Sequence, residues 1–111
     1  SGGVTVTGTL AAVAGAAFVA LLAWSVGWPK AAMVAALAGG VLGSVMDSVM
    51  GAALQARRHC AVCNTVTEQG THSCGVRTEV IGGVPWLDND GVNALATLGG
   101  ALLGAAIATY F

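Results

Sequence analysis

A single carboxylate interrupts the most apolar part of this chain. Asp47 is the only charged residue between Lys30 and Arg57. A helix needs about 20 apolar residues to cross about 30 Å of hydrocarbon, so this run is long enough to span a bilayer. A carboxylate at mid-membrane costs at least about 2.5 kcal/mol, and such residues usually face a cavity, a partner or a site. We predict that Asp47 is a metal ligand or a proton-handling group; the alternative is a packing seam in which it hydrogen-bonds to a neighbouring helix.

A second polar cluster, Asp88-Asn89-Asp90-Gly91-Val92-Asn93, precedes the last apolar segment. One Asp or Asn here could simply cap a helix, because both are preferred caps. A single cap needs one such residue, whereas this stretch offers four acids or amides. Hard cations such as Mg²⁺ take oxygen ligands from carboxylates and from substrate phosphates. We therefore predict a magnesium and phosphate site here, with Asp90 and Asn93 one turn apart on one helix face.

All three cysteines and both histidines lie in the polar segment between the second and third apolar runs. Cys60-Ala-Val-Cys63 is followed by His72-Ser-Cys74, which supplies four ligands of the kind that tetrahedral zinc prefers. His59 could replace His72, and free thiols or a Cys60–Cys63 disulfide are the alternatives. We predict a structural zinc that orders a loop too polar to pack alone. Four protein ligands would leave no open position for catalysis.

The composition predicts which elements position these residues. The chain is 56% hydrophobic and only 8% charged, whereas soluble domains are about 25% charged. The net charge of −1 and the lack of a basic patch argue against nucleic acid as a partner. We predict an all-α integral membrane protein in one domain with three transmembrane helices, near residues 6–26, 31–55 and 91–111. The Cys/His-containing loop covers about residues 56–90.

The charge distribution predicts the orientation. The loop after the second span carries three arginines, whereas the loop before it carries only Lys30, so the positive-inside rule puts the longer loop in the cytoplasm. The start of helix one, the end of helix two and the start of helix three then share the cytoplasmic side. Gly2 and Gly3 lie there, and glycines at a helix start let the backbone N–H groups approach an anion.

Small residues are predicted to form helix-packing seams. Helical spacing places Gly40, Gly43, Ser44, Asp47, Gly51 and Gln55 on one stripe of helix two. Helix one has Gly8, Ala12 and Gly15, and helix three has Gly100 and Gly104. Small residues let helices approach closely in lipid.

These residues resemble the transmembrane protein 19 family, also called the domain of unknown function 92 family, over nearly the whole chain. The Cys/His loop is similar to that of prokaryotic members. The family includes the phytyl phosphate kinase of tocopherol synthesis and is more distantly similar to CTP-dependent polyprenol kinases. The motifs that carry the resemblance are Ser1-Gly2-Gly3-Val4 with Gly8-Thr9, Gly43-Ser44 with Asp47-Ser48 and the segment from Gly51 to Gln55, and Asp88-Asn89-Asp90 with Val92-Asn93.

The resemblance implies a CTP-dependent kinase of a prenyl phosphate or prenol, an isoprenoid lipid substrate, and an active face toward the cytoplasm. It also implies that an N-terminal half is missing, so we expect a fragment of a larger protein or a homo-oligomer. We predict that Asp47 and Asp90 hold Mg²⁺ and that Gly2, Gly3, Ser48, Gln55, Asn89 and Asn93 contact phosphate or substrate. The alternatives are a proton-coupled transporter or channel, and a non-catalytic structural subunit.

Overall fold

Three long helices give the molecule an elongated shape of 55 × 24 × 21 Å. The computed structural model describes residues 3–111. Helix α1 covers Val6–Ser25, α2 covers Lys30–Ala53 and α3 covers Asn89–Ala108. All three are long and apolar enough to cross a membrane. Three helices long and apolar enough to span a membrane are confirmed, although α3 begins before residue 91 and ends before residue 111.

Local sequence explains where the helices begin. Thr5 caps α1, and its hydroxyl oxygen accepts a hydrogen bond of 2.9 Å from the N–H of Gly8. Asp88 caps α3 in the same way, with its carboxylate accepting from the N–H of Gly91 at 2.8 Å. Pro29 stands at the N-cap position of α2. In the polar cluster at residues 88–93, Asp88 is therefore the residue that caps the helix. Asn89, Asp90 and Asn93 do not serve as the cap.

The segment between α2 and α3 is not a plain loop, and in this respect the all-α prediction was wrong. It forms a three-stranded antiparallel sheet in the order β2-β1-β3, with β1 at Arg57–Cys60, β2 at Thr65–Thr67 and β3 at Glu79–Gly82. The strands have only three or four residues and show no apolar alternation. They therefore lack the pattern by which a strand is normally detected in a sequence.

Two backbone hydrogen bonds fasten this sheet to the helix ends. The N–H of Ala56 donates to Leu87 O, and the N–H of Val84 donates to Leu54 O, both at 2.8 Å. Gly83, which has a φ of 74°, lies against the backbone of Gln55 so closely that a Cβ would collide with the Gln55 carbonyl oxygen. The end of α2 and the start of α3 are therefore held side by side.

Glycines let α2 and α3 approach until their backbones touch. A Cβ on Gly39 would lie 2.7 Å from Gly100 O, and one on Gly43 would lie 3.3 Å from Ala96 O. On α3 the buried residues recur every fourth position, at Val92, Ala96, Gly100 and Gly104. The predicted seam through Gly100 and Gly104 is confirmed.

The contact between α1 and α2 uses different residues from those expected. The buried positions of α1 are Ala16, Ala20 and Ala23, and a Cβ on Gly40 of α2 would lie 2.9 Å from Ala16 Cβ. Gly15 has nothing within 4 Å, and Gly8 meets only the Thr5 hydroxyl of its own helix. The prediction that Gly8 and Gly15 belong to a helix-packing seam was therefore wrong. Helix α2 lies between α1 and α3, which make no contact with each other within residues 3–111.

Candidate functional site

A cleft of about 500 Å³ runs between α2 and α3. Most of its wall is glycine and alanine, because the seam that joins the two helices also lines the cleft. Its polar residues are Ser44 and Asp47 from α2 with Asn93 and Thr97 from α3. Four oxygen-bearing side chains thus face one space that is otherwise lined by small residues.

Asp47 is the unusual member of this group. Its Oδ1 atom is buried and accepts no hydrogen bond from residues 3–111. A buried polar atom without a partner costs about 1–3 kcal/mol, and more when the group is charged. A bound cation, a proton or a ligand donor in the cleft would relieve that cost. If Asp47 only formed part of a packing seam, its carboxylate would hydrogen-bond to a neighbouring helix. The geometry therefore favours a binding site over a packing seam.

The register of α2 against α3 determines which residue of the polar cluster at 88–93 lies beside Asp47. Because Gly39 lies against Gly100 and Gly43 against Ala96, Asp47, one turn further along α2, lies level with the start of α3. Asn93 lines the same cleft as Asp47. Asp90 is exposed and does not line the cleft; it lies one turn, about 5 Å, nearer the sheet than Asn93.

Thr97 is a residue that the sequence analysis missed. It lines the cleft, and its hydroxyl donates a hydrogen bond of 2.7 Å to the carbonyl oxygen of Asn93. Helical spacing could have found it, because Thr97 follows Asn93 by four residues and so lies on the same face of α3.

A second pocket, of about 540 Å³, lies where the helix ends meet the sheet. Gly3, Gly51 and Gln55 line it from the helices. Gln55 is buried, with only 3% of its surface exposed. The sheet contributes Arg57, Thr67 and Glu68, so an arginine, an acid and a hydroxyl all face this pocket.

The position of Arg57 depends on a glycine in the neighbouring strand. Arg57 pairs with Gly82 across β1 and β3, and a Cβ at Gly82 would stand 2.5 Å from Nη2 of Arg57 and 3.1 Å from its Cζ. The guanidinium therefore lies over Gly82. Neither of the other two arginines of this segment, Arg58 and Arg77, is among the residues that line the pocket.

Ser48 does not line the cleft that contains Asp47. It lines a smaller pocket of about 150 Å³ together with Gly3, Thr9 and Ser44. The structure thus groups the predicted residues in two sets: Asp47 with Asn93 between α2 and α3, and Ser48 and Gln55 with Gly3 beside the start of α1. Asn89 is exposed and lines none of these three pockets, and Gly2 lies outside the described residues.

The predicted Cys/His cluster is assembled in the extramembrane segment. One ligand atom from each of Cys60, Cys63, His72 and Cys74 lies within 4.8 Å of all the others. The Sγ atoms of Cys60 and Cys74 are 3.6 Å apart, and Nδ1 of His72 is 3.3 Å from Cys74 Sγ. The cysteines are free, so this cluster could hold a metal ion.

His59 does not join the cluster. It lies in β1, and its Nε2 is 3.0 Å from Oδ1 of Asn64. Of the two histidines that the spacing allowed as a ligand, the fold therefore presents His72. The alternative of a Cys60–Cys63 disulfide is not formed.

Hydrogen bonds within the cluster affect the thiols differently. The N–H of Cys63 donates to Cys60 Sγ at 3.5 Å, and this bond lowers the pKa of the Cys60 thiol. The pKa of Cys63 is raised to about 11, chiefly because its hydrogen bond with Cys74 favours the protonated form. The buried Cys60 is thus better prepared than Cys63 to present a thiolate, which is the form that binds a metal.

A family model described as "Integral membrane protein DUF92" matches residues 1–101. The chain belongs to this family. No curated protein and no solved structure gives a significant match.

For this DUF92 protein, the matched region includes both polar sets and the Cys/His cluster. Membership agrees with the three helices that could span a bilayer, and the protein is an integral membrane protein. The predicted family is confirmed.

Proposed function

We propose that this DUF92 protein acts in phosphoryl transfer within the membrane, from CTP to a prenyl phosphate or a prenol. The observation that carries the proposal is the buried Oδ1 of Asp47, which has no hydrogen-bond partner among residues 3–111 and lies with Asn93 in a cleft between two helices. The substrate class comes from the resemblance to phytyl phosphate kinase. Phosphoryl transfer suits such a site, because its catalysis is mostly positioning and charge stabilisation.

The residues of the cleft fit magnesium. The donors that converge there are the carboxylate of Asp47, the side-chain oxygen of Asn93 and the hydroxyl of Ser44, and oxygen is the ligand type that Mg²⁺ takes. Asp47 and Asn93 would hold the ion, and Asp90 would join through water or phosphate oxygens from one turn nearer the sheet. When bound, the ion would neutralise charge on the transferring phosphoryl group.

The cleft also suits a lipid tail. It extends from Asp47 back to Ala35, about 18 Å along a helix, which is more than half of a hydrocarbon core of about 30 Å. Beyond the polar end its wall consists of glycine and alanine. A prenyl chain would lie along this wall with its phosphate or hydroxyl end beside Asp47.

Groups near the second pocket would bind the nucleotide. Arg57 offers a charge to a phosphate, and Gly3 offers its backbone N–H just before the start of α1. Ser48 and Gln55, which line the two pockets beside α1, would orient phosphate oxygens. All of these groups lie at the sheet end of the helices, as Asp47 does.

We also propose zinc as the ion of the Cys/His cluster and the cytoplasm as the side on which the sheet lies. Three thiols and an imidazole are a zinc ligand set, and four protein ligands leave no open position for catalysis. Arg57, Arg58 and Arg77 lie at the sheet end of the helices, and Lys30 lies at the other end. Basic residues accumulate on the cytoplasmic side.

The test is transfer of labelled phosphate from CTP to a prenyl phosphate by the complete protein in lipid nanodiscs with Mg²⁺. Asp47→Asn keeps the shape of the side chain and removes its charge, so transfer should fall by at least about 100-fold, on the scale of losing one transition-state contact. The matched control is Asp88→Asn, which removes an exposed carboxylate at the same end but keeps a side chain that caps α3. Near-normal transfer by Asp47→Asn would contradict the proposal.

The buried carboxylate favours one competing function, proton-coupled transport, because ionisable groups inside the bilayer also mark proton pathways. Flux measurements on the same protein in liposomes separate the two. Proton or ion flux that Asp47→Asn abolishes, without any phosphate transfer by the unmodified protein, would support transport instead.

A further inference from the structure

The extramembrane sheet has almost no hydrophobic core. From residue 57 to residue 82, only Cys60 and Thr78 are buried. The apolar side chains point outward, with Val62 70% exposed, Val66 65% and Ile81 54%. A small sheet needs a buried apolar face or a packed helix to be stable in water. Hydrophobic burial within this sheet therefore does not explain why it folds.

The two buried residues, Cys60 and Thr78, indicate which interactions hold the segment together in place of a hydrophobic core. Thr78 donates hydrogen bonds to the carbonyl oxygens of Gln69 and Gly70, at 2.6 and 3.0 Å. Cys60 has no exposed surface and is one of the four members of the Cys/His cluster. The one buried cysteine of this segment thus belongs to a group of residues that could hold a metal ion.

Two of the separations between ligand atoms are close to those of a tetrahedral zinc shell, and all four atoms lie within 4.8 Å of one another. With Zn–S of about 2.3 Å and Zn–N of about 2.0–2.1 Å, the edges of the tetrahedron are about 3.8 Å between two sulfurs and about 3.6 Å between sulfur and nitrogen. The observed separations are 3.6 Å for Cys60 Sγ to Cys74 Sγ and 3.3 Å for His72 Nδ1 to Cys74 Sγ. A disulfide would require about 2.05 Å between the sulfurs.

The ligands come from two different turns of the segment. Cys60 and Cys63 stand at the turn between β1 and β2, and His72 and Cys74 stand in a turn before β3. The second turn is closed by bonds from His72 N–H to Val76 O, 2.9 Å, and from Gly75 N–H to His72 O, 2.8 Å. One ion held by both turns would fix the positions of all three strands.

We propose that Cys60, Cys63, His72 and Cys74 bind one zinc ion, and that this ion is required for the sheet of β1, β2 and β3 to fold. Metal binding contributes directly to folding where no site exists in the unfolded chain. This folding role does not depend on phosphoryl transfer, but it rests on the zinc proposed above for the Cys/His cluster.

The second pocket depends on the same ion. The sheet supplies Arg57, Val66, Thr67 and Glu68 to its wall, while the helix ends supply the rest. Without zinc, the helices would remain but the wall formed by the sheet would be lost. The pocket, with Arg57 in its wall, would therefore form in the zinc-bound protein and not in the zinc-free protein.

The experiment uses the full chain in detergent micelles. Elemental analysis should find one zinc per chain, and replacement by Co²⁺ should give the sulfur-to-cobalt charge-transfer absorption of a thiolate-rich tetrahedral site. Hydrogen exchange, followed by mass spectrometry, then compares the zinc form with the chelated form. We expect amides of β1, β2 and β3 to exchange at least about tenfold faster after chelation, and those of the helices to be unchanged, because locally folded units open independently.

Two variants provide a matched pair. Cys63→Ser removes an exposed ligand, so it leaves no internal cavity, and it should lose zinc and the protection of the sheet. Ser73→Ala changes the exposed residue between His72 and Cys74 and should keep both. Absence of bound zinc in the unmodified protein, a disulfide among the three cysteines, or unchanged sheet protection after chelation would each overturn the proposal.

Discussion

Replacement of Gly100 by alanine tests the close contact between α2 and α3. A Cβ there would stand 2.7 Å from Gly39 O, 2.9 Å from Gly43 Cα and 3.3 Å from Gly43 N. All three atoms belong to the backbone of α2, so no change of side-chain rotamer can relieve the collision. The two helices must instead move apart along the seam that also lines the Asp47 cleft.

The magnitude follows from two opposing effects. Alanine is favoured over glycine within a helix by about 1 kcal/mol. Overpacking of a well-packed contact typically costs about 1–3 kcal/mol. Gly15 has nothing within 4 Å, so Gly15→Ala keeps the first effect without the second. We therefore expect Gly100→Ala to be less stable than Gly15→Ala by about 1–3 kcal/mol, since the helix-propensity gain cancels.

The assay is reversible unfolding of both variants in mixed micelles with increasing SDS, followed by circular dichroism. Gly99→Ala is a second control from the same helix. A Cβ at Gly99 would collide only with the end of the Met46 side chain, which is flexible and can rotate away. Its stability should therefore be close to that of Gly15→Ala.

Equal stabilities for Gly100→Ala and Gly15→Ala would refute the reasoning. They would mean that α2 and α3 do not touch at Gly39 and Gly100. The helix register that brings Asp47 to Asn93 would then be wrong as well, because it rests on the same contact.

Two further predictions concern the helix cap and the orientation in the membrane. In the same unfolding assay, Asp88→Ala should lower the free energy of unfolding by about 1 kcal/mol and Asp88→Asn should not, because alanine cannot accept a hydrogen bond from the N–H of Gly91. Equal losses for the two variants would exclude the capping role. In a bacterial host, alkaline phosphatase fused after Phe111 should be active and a fluorescent protein fused after Phe111 should not fluoresce, because the end of α3 opposite the sheet is expected outside the cytoplasm. The reverse result would place the sheet outside the cytoplasm.

Much of the fold could be predicted from composition and length alone. A chain with so few charges and three long apolar runs can satisfy its backbone in lipid only as helices, and α1, α2 and α3 begin and end within a few residues of the expected positions. The sheet could not be predicted, because strands of three or four residues such as β1 are too short to show an apolar period of their own.

The Cys/His cluster was predictable as a set but not in detail. Two close pairs of ligand residues indicated zinc whatever the fold. The choice of His72 over His59 required the structure, because β1 turns His59 toward Asn64 while the turn before β3 brings His72 beside Cys74.

The sequence by itself determined that this is a membrane protein, because it contains three long apolar runs with almost no charge. It also determined that one run contains a carboxylate, and transfer of that charge into lipid is costly wherever the helix lies. Only the tertiary structure decided which groups share a cleft with Asp47. Backbone contact at Gly39 and Gly100 sets the register of α2 against α3, and that register brings Asn93 to Asp47 and leaves Asp90 one turn away. Such a register depends on how two glycine surfaces fit together, which residue spacing along either helix does not specify.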